Sequence, residues 1–192
     1  TASAREMLDI VSDCARRLQD LANTVLGLAR PAGAPLEDVE VCRTLDSALR
    51  LMEFRTRGHV EVVRDFRFEG TVPGEPAALG QVWINLFDNA LRAMPAGGRL
   101  TVATREVDGA CEITVGDSGG GIAPGVLPNL FQPFFTTRSA GEGTGLGLSM
   151  CRQIVERARG SIRVRETSTA GTTFEVRLPL AEPAAQLLTG TA

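Results

Sequence analysis

The sequence predicts a two-layer α/β sandwich, one mixed sheet covered on one face by three helices, preceded by a long helix of coiled-coil or bundle type. Three observations carry this. Five short segments alternate with a period of two, three segments of helical period sit grouped between them, and the first thirty residues hold an unbroken heptad seam. In that seam Met7, Val11, Cys14, Leu18, Leu21, Val25 and Leu28 are spaced by 4, 3, 4, 3, 4 and 3 residues, ending at Arg30 before Pro31. Ala15, Ala22 and Ala29 flank it and let another helix come close. Such a helix is roughly 40 Å long, too long a stripe to bury alone, so it calls for partner helices from a second copy.

The linker, residues 31–36 with the run PAGAP, leads into a globular part over residues 37–180. Thr44 to Arg57 has helical spacing (Leu45, Ala48, Leu49, Met52), and Val60 to Phe66 alternates as a strand. Glu75 to Met94 places Leu79, Val82, Trp83, Leu86, Phe87, Ala90 and Leu91 on one side of a helix. Arg99 to Val107 and Cys111 to Val115 read as strands joined at Asp108-Gly109, a hairpin signal. Leu146 to Ala158 is helical, and Ser161 to Glu166 with Thr172 to Leu178 forms a last hairpin. Residues 181–192 read as a frayed tail.

Composition removes several classes of function. The chain carries a net charge of −3 over 192 residues, its basic residues are scattered among acids, and all twenty are arginine. Nucleic acid is therefore a poor partner. Without lysine there is no Walker A loop, no eukaryotic-type protein kinase site and no Schiff base. One histidine, His59, argues against a His-rich metal site and a Ser-His-Asp triad. Cys14, Cys42, Cys111 and Cys151 form no C-x-x-C pair and read as reduced, buried thiols of a cytoplasmic protein. No apolar run is long enough to span a membrane and no signal-peptide pattern opens the chain, so no direct membrane contact is expected.

Four segments carry candidate chemistry. In QVWINLFDNALRA, Asn85, Asp88, Asn89 and Arg92 fall at i, i+3, i+4 and i+7, a polar stripe on an otherwise apolar helix. DSGGGIAP, Asp117 to Pro124, follows the strand CEITV and sets a carboxylate beside glycine backbone. NLFQPFFTTR puts three phenylalanines in a loop, which suits either a lid anchored by aromatics or a packed loop. GEGTGLGL has glycine at 141, 143, 145 and 147 and opens a helix, where free N–H groups and the positive dipole end suit an anion. Taken singly, a solvated helix face, an ordinary turn or a flexible loop would explain each.

In this order, NLFDNALRA, DSGGGI, QPFFTTR and GTGLGL resemble the N, G1, F and G2 boxes of the sensor histidine kinase catalytic domain, and AGTTFEVRLPL resembles its closing strand. That domain shares a superfamily with gyrase, a heat-shock chaperone and mismatch-repair ATPases. The resemblance covers about residues 36–180 and implies the Bergerat-type fold with ATP and Mg²⁺ as cofactors. It places Asp117 on the adenine amino group; guanine offers an acceptor there, so this carboxylate would favour ATP over GTP. Gly119 and Gly121 would keep the adenine side open, with Ile122 as apolar wall and Thr172 near the base. Asn89 would give its amide oxygen to Mg²⁺, and Arg92, where the family often has lysine, would reach the phosphates. Phe134, Thr137 and Arg138 fall in the lid segment, about Gly120 to Thr144. Gly143, Thr144, Gly145, Leu146, Gly147 and Leu148 form the phosphate-facing run. Asn85 stands where gyrase-like ATPases carry a water-activating glutamate; an amide is a poor base, which favours transfer to a protein nucleophile over hydrolysis.

The family's acceptor histidine lies on the first helix of a helical hairpin, in a motif that begins H-E. Nothing here matches it. The heptad helix, residues 1–30, resembles the second hairpin helix, and His59 reads as structural or surface. The expectation is a homodimer through the heptad helix whose chain binds ATP but does not autophosphorylate, with a separate histidine-bearing helix as acceptor and a response regulator receiver domain as the next carrier. Two alternatives are a serine kinase acting on an anti-sigma-type partner and a nucleotide-binding interaction module that signals by conformation.

Overall fold

The computed structural model describes residue 7 and residues 36–137 and 144–181. The heptad helix apart from residue 7, the linker up to residue 35, the glycine run up to Gly143 together with Arg138, and the tail from 182 lie outside the described residues. In chain order the elements are β1 (Glu37–Glu40), α1 (Val41–Thr56), β2 (Val60–Phe66), β3 (Thr71–Gly74), α2 (Pro76–Ala93), β4 (Gly98–Val107), β5 (Ala110–Asp117), a 3-10 turn (Leu127–Asn129), α3 (Gly147–Arg157), β6 (Ser161–Ser168) and β7 (Gly171–Pro179).

Five strands form one sheet in the order β2-β4-β5-β7-β6, with β2 and β4 parallel and the other pairs antiparallel. The mixed sheet covered by three helices is the predicted α/β sandwich. Two further strands, β1 and β3, pair with each other in a separate ladder that sequence reading missed. Each has only four residues, their partners are some thirty residues apart in sequence, and Pro73 interrupts the second. Helix α1 also starts three residues earlier than Leu45 and its neighbours suggested, at Val41.

Helix α2 forms because its apolar residues recur at helical spacing and Pro76 sits at its first position, where the missing N–H costs nothing. It stops at Met94, because the next residue is Pro95. Its stripe of Leu79, Val82, Trp83, Leu86 and Phe87 is fully buried, against Leu100 and Val102 of β4, Ile113 of β5 and Val176 of β7. Burying each large side chain contributes about 1.5–3 kcal/mol. The Trp83 indole N–H donates to Thr44 Oγ1 at 2.8 Å, which ties α2 to α1.

The uncovered sheet face is a ladder of arginines and carboxylates. Glu175 is 1% exposed there and accepts two bonds from Arg163, at 2.6 and 2.9 Å. No described helix is long and apolar enough to cross a membrane. Cys111 and Cys151 are buried as expected, but Cys42 is only half-buried, its thiol donating to the Phe68 carbonyl at 3.0 Å.

Candidate functional site

The polar stripe of α2 runs along one wall of the site. Asn85 uses both ends of its amide: Oδ1 accepts from Gln81 at 3.1 Å, and Nδ2 donates to the Gly147 carbonyl at 3.3 Å. It therefore ties α2 to the first residue of α3. An amide is in any case far too weak a base to take a proton from water. One turn on, Asp88 accepts from Arg92 Nε through Oδ2 at 2.7 Å and from Arg55 of α1 through Oδ1. Burial works to raise the Asp88 pKa, but the two guanidiniums outweigh it and hold the carboxyl below the usual range. Asn89 lies on the same stripe, half-buried, as predicted.

A second wall is built by the end of β5. The strand alternates Cys111, Ile113 and Val115 inward, and its last residue, Asp117, faces Thr172 of β7 across the sheet. The Gly119 N–H donates to Asp117 Oδ1 at 2.8 Å. Burial pushes the Asp117 pKa above the usual carboxylate range, and the Gly119 and Thr172 N–H groups pull it part of the way back. A half-buried carboxylate with lone pairs left over is suited to accept from a ligand amine. Thr172 is buried, with its hydroxyl 3.0 Å from that of Thr167. Thr167 Oγ1 also accepts the Ile122 N–H at 2.8 Å, which fixes the DSGGGI loop to the β6–β7 hairpin.

Gly119 and Gly121 of that loop meet protein, a demand the sequence did not show, while Gly120 faces open space. A Cβ on Gly119 would lie 2.5 Å from the Ala93 carbonyl oxygen at the end of α2. On Gly121, whose φ is +76°, it would lie 1.9 Å from the Ser168 carbonyl oxygen. Both let the loop close down on its neighbours. Ile122 packs against the core from a half-buried position.

The start of α3 makes the third side. Its first turn is capped by no described side chain, which leaves N–H groups available at the positive end of the helix. Gly147 has only the Asn85 amide near its Cβ direction, at 3.8–3.9 Å. Gly145, with φ +66°, has its Cβ direction blocked by the Phe134 backbone at 2.4 Å. Phe134 itself has φ +64° and an exposed ring. Phe134, within the predicted lid, thus touches Gly145, just past its end. Thr137 is exposed and Thr144 half-buried. Leu146 and Leu148, predicted to face the nucleotide, turn toward the interior: Leu146 is 4% exposed and Leu148 packs on the core. They hold the start of α3 rather than line an open cleft.

The structure ties these pieces together pairwise: Asn85 of α2 to Gly147 at the start of α3, Ala93 at the end of α2 to Gly119 of the Asp117–Ile122 loop, and Asp117 to Thr172 on the β5–β7 ladder, with Asp88, Asn89 and Arg92 on the same face of α2 as Asn85. Sequence reading missed Arg55 and Thr167. Both act through partners far along the chain, Asp88 and Ile122, so only the hairpin register at Thr172 hinted at Thr167. Among the described residues no group of three or more His, Cys, Asp or Glu could hold a metal. The donor set fits Mg²⁺ that arrives with phosphates and takes a neutral amide, not a resident metal.

Comparisons with known proteins agree with this geometry. The family described as histidine kinase-, DNA gyrase B-, and HSP90-like ATPase matches residues 74–182. The chain is 33% identical to sensor histidine kinase ZraS of Escherichia coli K12 over 180 residues, spanning 92% of this chain and 38% of that protein. It is 32% identical to histidine protein kinase DivJ of Caulobacter vibrioides, spanning 91% of this chain and 31% of that protein. Among solved structures, the mycobacterial sensor histidine kinase MprB superimposes with a TM-score of 0.68 at 29% identity, covering 77% of this chain and 99% of that one. Full-length ShkA in complex with AMPPNP gives 0.75 at 26% identity, covering 96% and 40%. The chain thus spans about two-fifths of its curated relative ZraS, and it belongs to the histidine kinase-, DNA gyrase B-, and HSP90-like ATPase family as a catalytic ATP-binding domain of the histidine kinase kind.

Proposed function

We propose that this chain is the cytoplasmic catalytic region of a sensor histidine kinase, which directs the ATP γ-phosphoryl group to a histidine on a hairpin helix outside it. In this reading residues 1–30 are the second hairpin helix and form a homodimer, residues 31–36 are a linker, and the phosphoryl group passes on to a response regulator receiver domain. The observation that carries it is Asp117: a half-buried carboxylate on the last rung of β5, steadied by two backbone N–H groups and open to a ligand amine.

Bound ATP supplies the phosphoryl group and its Mg²⁺ screens the charge. Asp117 selects the base, because adenine presents an N–H donor where guanine presents an acceptor. Thr172 and Ile122 border the base. Asn89 would offer its amide oxygen toward Mg²⁺, Arg92 would offer guanidinium nitrogens toward the phosphates, and the first turn of α3, capped by no described side chain, would offer N–H groups. Asn85, with its amide engaged by Gln81 and Gly147, activates no water, so a bound nucleotide waits for an external nucleophile. The acceptor is an imidazole nitrogen, whose lone pair attacks phosphorus while the bond to the ADP oxygen breaks.

Calorimetry with ATP and GTP in the presence of Mg²⁺ tests this. The chain should bind ATP in preference to GTP, and Asp117→Asn should weaken ATP binding roughly 10- to 100-fold, the range for one hydrogen bond to a charged group. Equal binding of the two nucleotides, or an unaffected mutant, would overturn the reading. Labelled ATP should leave no acid-labile phosphate on this chain alone.

A further inference from the structure

Two guanidiniums from two helices share one carboxylate of the polar stripe. Asp88 gives Oδ2 to Arg92 Nε at 2.7 Å and Oδ1 to Arg55 Nη1 of α1. Its side chain is 18% exposed, against 36% for Arg55 and 26% for Arg92, so the carboxylate is the enclosed member and the guanidiniums are its lips. The bond from Arg92 uses Nε, and leaves the terminal nitrogens Nη1 and Nη2 outside it.

We propose that Arg55 and Asp88 are positioning residues for phosphate binding: Asp88 orients the Arg92 fork, and Arg55 takes up the Asp88 charge that would otherwise cancel it. This rests on the reading of the site as an ATP site. Arg92 alone is a flexible side chain with several rotamers, and fixing it before the ligand arrives removes an entropy cost from binding. Fixing it with an unshared carboxylate would leave a neutral pair facing a polyanion. With Arg55 bonded to the other oxygen, the group carries one net positive charge and Arg92 stays both oriented and cationic. The device spans α1 and α2, so it also couples α1 to the phosphate end of the cleft. Arg55 sits in the last turn of α1, 33 residues from its partner.

The sign of one substitution separates positioning from simple electrostatics. Removing a negative charge near a polyphosphate should tighten ATP binding if Coulomb attraction alone matters. If Asp88 positions Arg92, Asp88→Asn weakens ATP binding instead, about fivefold to thirtyfold. Arg55→Ala should weaken ATP binding to a similar degree. Arg55→Lys should recover most of that loss, since Arg55 makes one bond to Asp88 and not a bidentate fork.

The experiment is calorimetric titration of the unaltered chain and the three variants with MgATP and with adenosine, alongside each melting curve. The expected result is a loss for ATP only, with adenosine binding unchanged. Tighter or unchanged ATP binding in Asp88→Asn and Arg55→Ala, or an equal loss for adenosine, overturns the proposal. Should Asp88→Asn fail to fold, Asp88→Glu replaces it: the charge is kept, so Coulomb attraction leaves ATP binding unchanged, whereas a displaced Arg92 fork weakens it. If the unaltered chain takes no ATP, the proposed function falls, and this inference with it; if ATP binds but the variants match the parent, this inference alone falls.

Discussion

At Gly145 the backbone takes a left-handed turn against the Phe134 main chain, and an added methyl group has nowhere to go. Gly145→Ala combines that clash with a disfavoured φ, and should lower stability by about 2 kcal/mol or more. Gly125, with open space in its Cβ direction and no positive φ, is the control; Gly125→Ala should stay within about 0.5 kcal/mol. Urea midpoints for the two variants decide it, and equal midpoints would mean that the contact at Phe134 yields easily. At this scale the sequence was a partial guide. It marked GEGTGLGL as a place where something approaches the backbone closely. For Gly145 that something is the Phe134 main chain, which no local pattern could announce. Asp117 and Asn85 stood out because a strand end and a helix stripe place them without distant information, whereas Thr172 was named only through the resemblance to the family. Arg55 was not, since its role exists only through a carboxylate on another helix.

Helices α1 and α2 are joined through their cores, through the Arg55–Asp88 pair and through the hydrogen bond from Trp83 Nε1 to Thr44 Oγ1. Thr44→Val keeps the shape and removes the acceptor, leaving the N–H of a fully buried indole unpaired. The expected cost is about 1–3 kcal/mol, read by denaturant unfolding followed through the fluorescence of this one tryptophan. A cost near zero would mean that water or another acceptor replaces the threonine. Elements with strong periodicity were the readable ones. Strand β2 was placed at Val60 to Phe66 from alternation alone, and α2 to within one residue at each end, from its apolar stripe and its proline boundaries. The ladder of β1 and β3 escaped because four residues are too few for a period to show, and its pairing is set by tertiary contact.

Across the whole molecule, one core joins all three helices to the sheet, and two cysteines report on its integrity. Burial, with Cys42 and Glu106 nearby, pushes the Cys111 thiol up to about 12. Burial does the same for Cys151, to about 12, against the Asn85 amide beside it. Neither offers thiolate at neutral pH, so alkylation of Cys111 and Cys151 should proceed only as fast as the domain opens. MgATP at 100 times its dissociation constant should slow that labelling about 100-fold, equal to about 2.7 kcal/mol of added stability. Labelling of Cys111 and Cys151 that ignores a bound nucleotide would show that the core opens without disturbing the site. The sandwich itself was legible because strand alternation and helix stripes agree on which side is inside. The charged ladder on the open face was not, since the burial of Glu175 depends on the register of three strands.

That register has a last consequence. Asp117 faces Thr172 on the same ladder that sets Val115 against Phe174 and Ile113 against Val176. A slip of one residue would turn the apolar set outward and swing the acid to the opposite face of the sheet. Misassembly and loss of substrate choice are therefore a single event. A copy in the slipped register would lack the acid at the strand end as well as the apolar face, so core and site are kept or lost together.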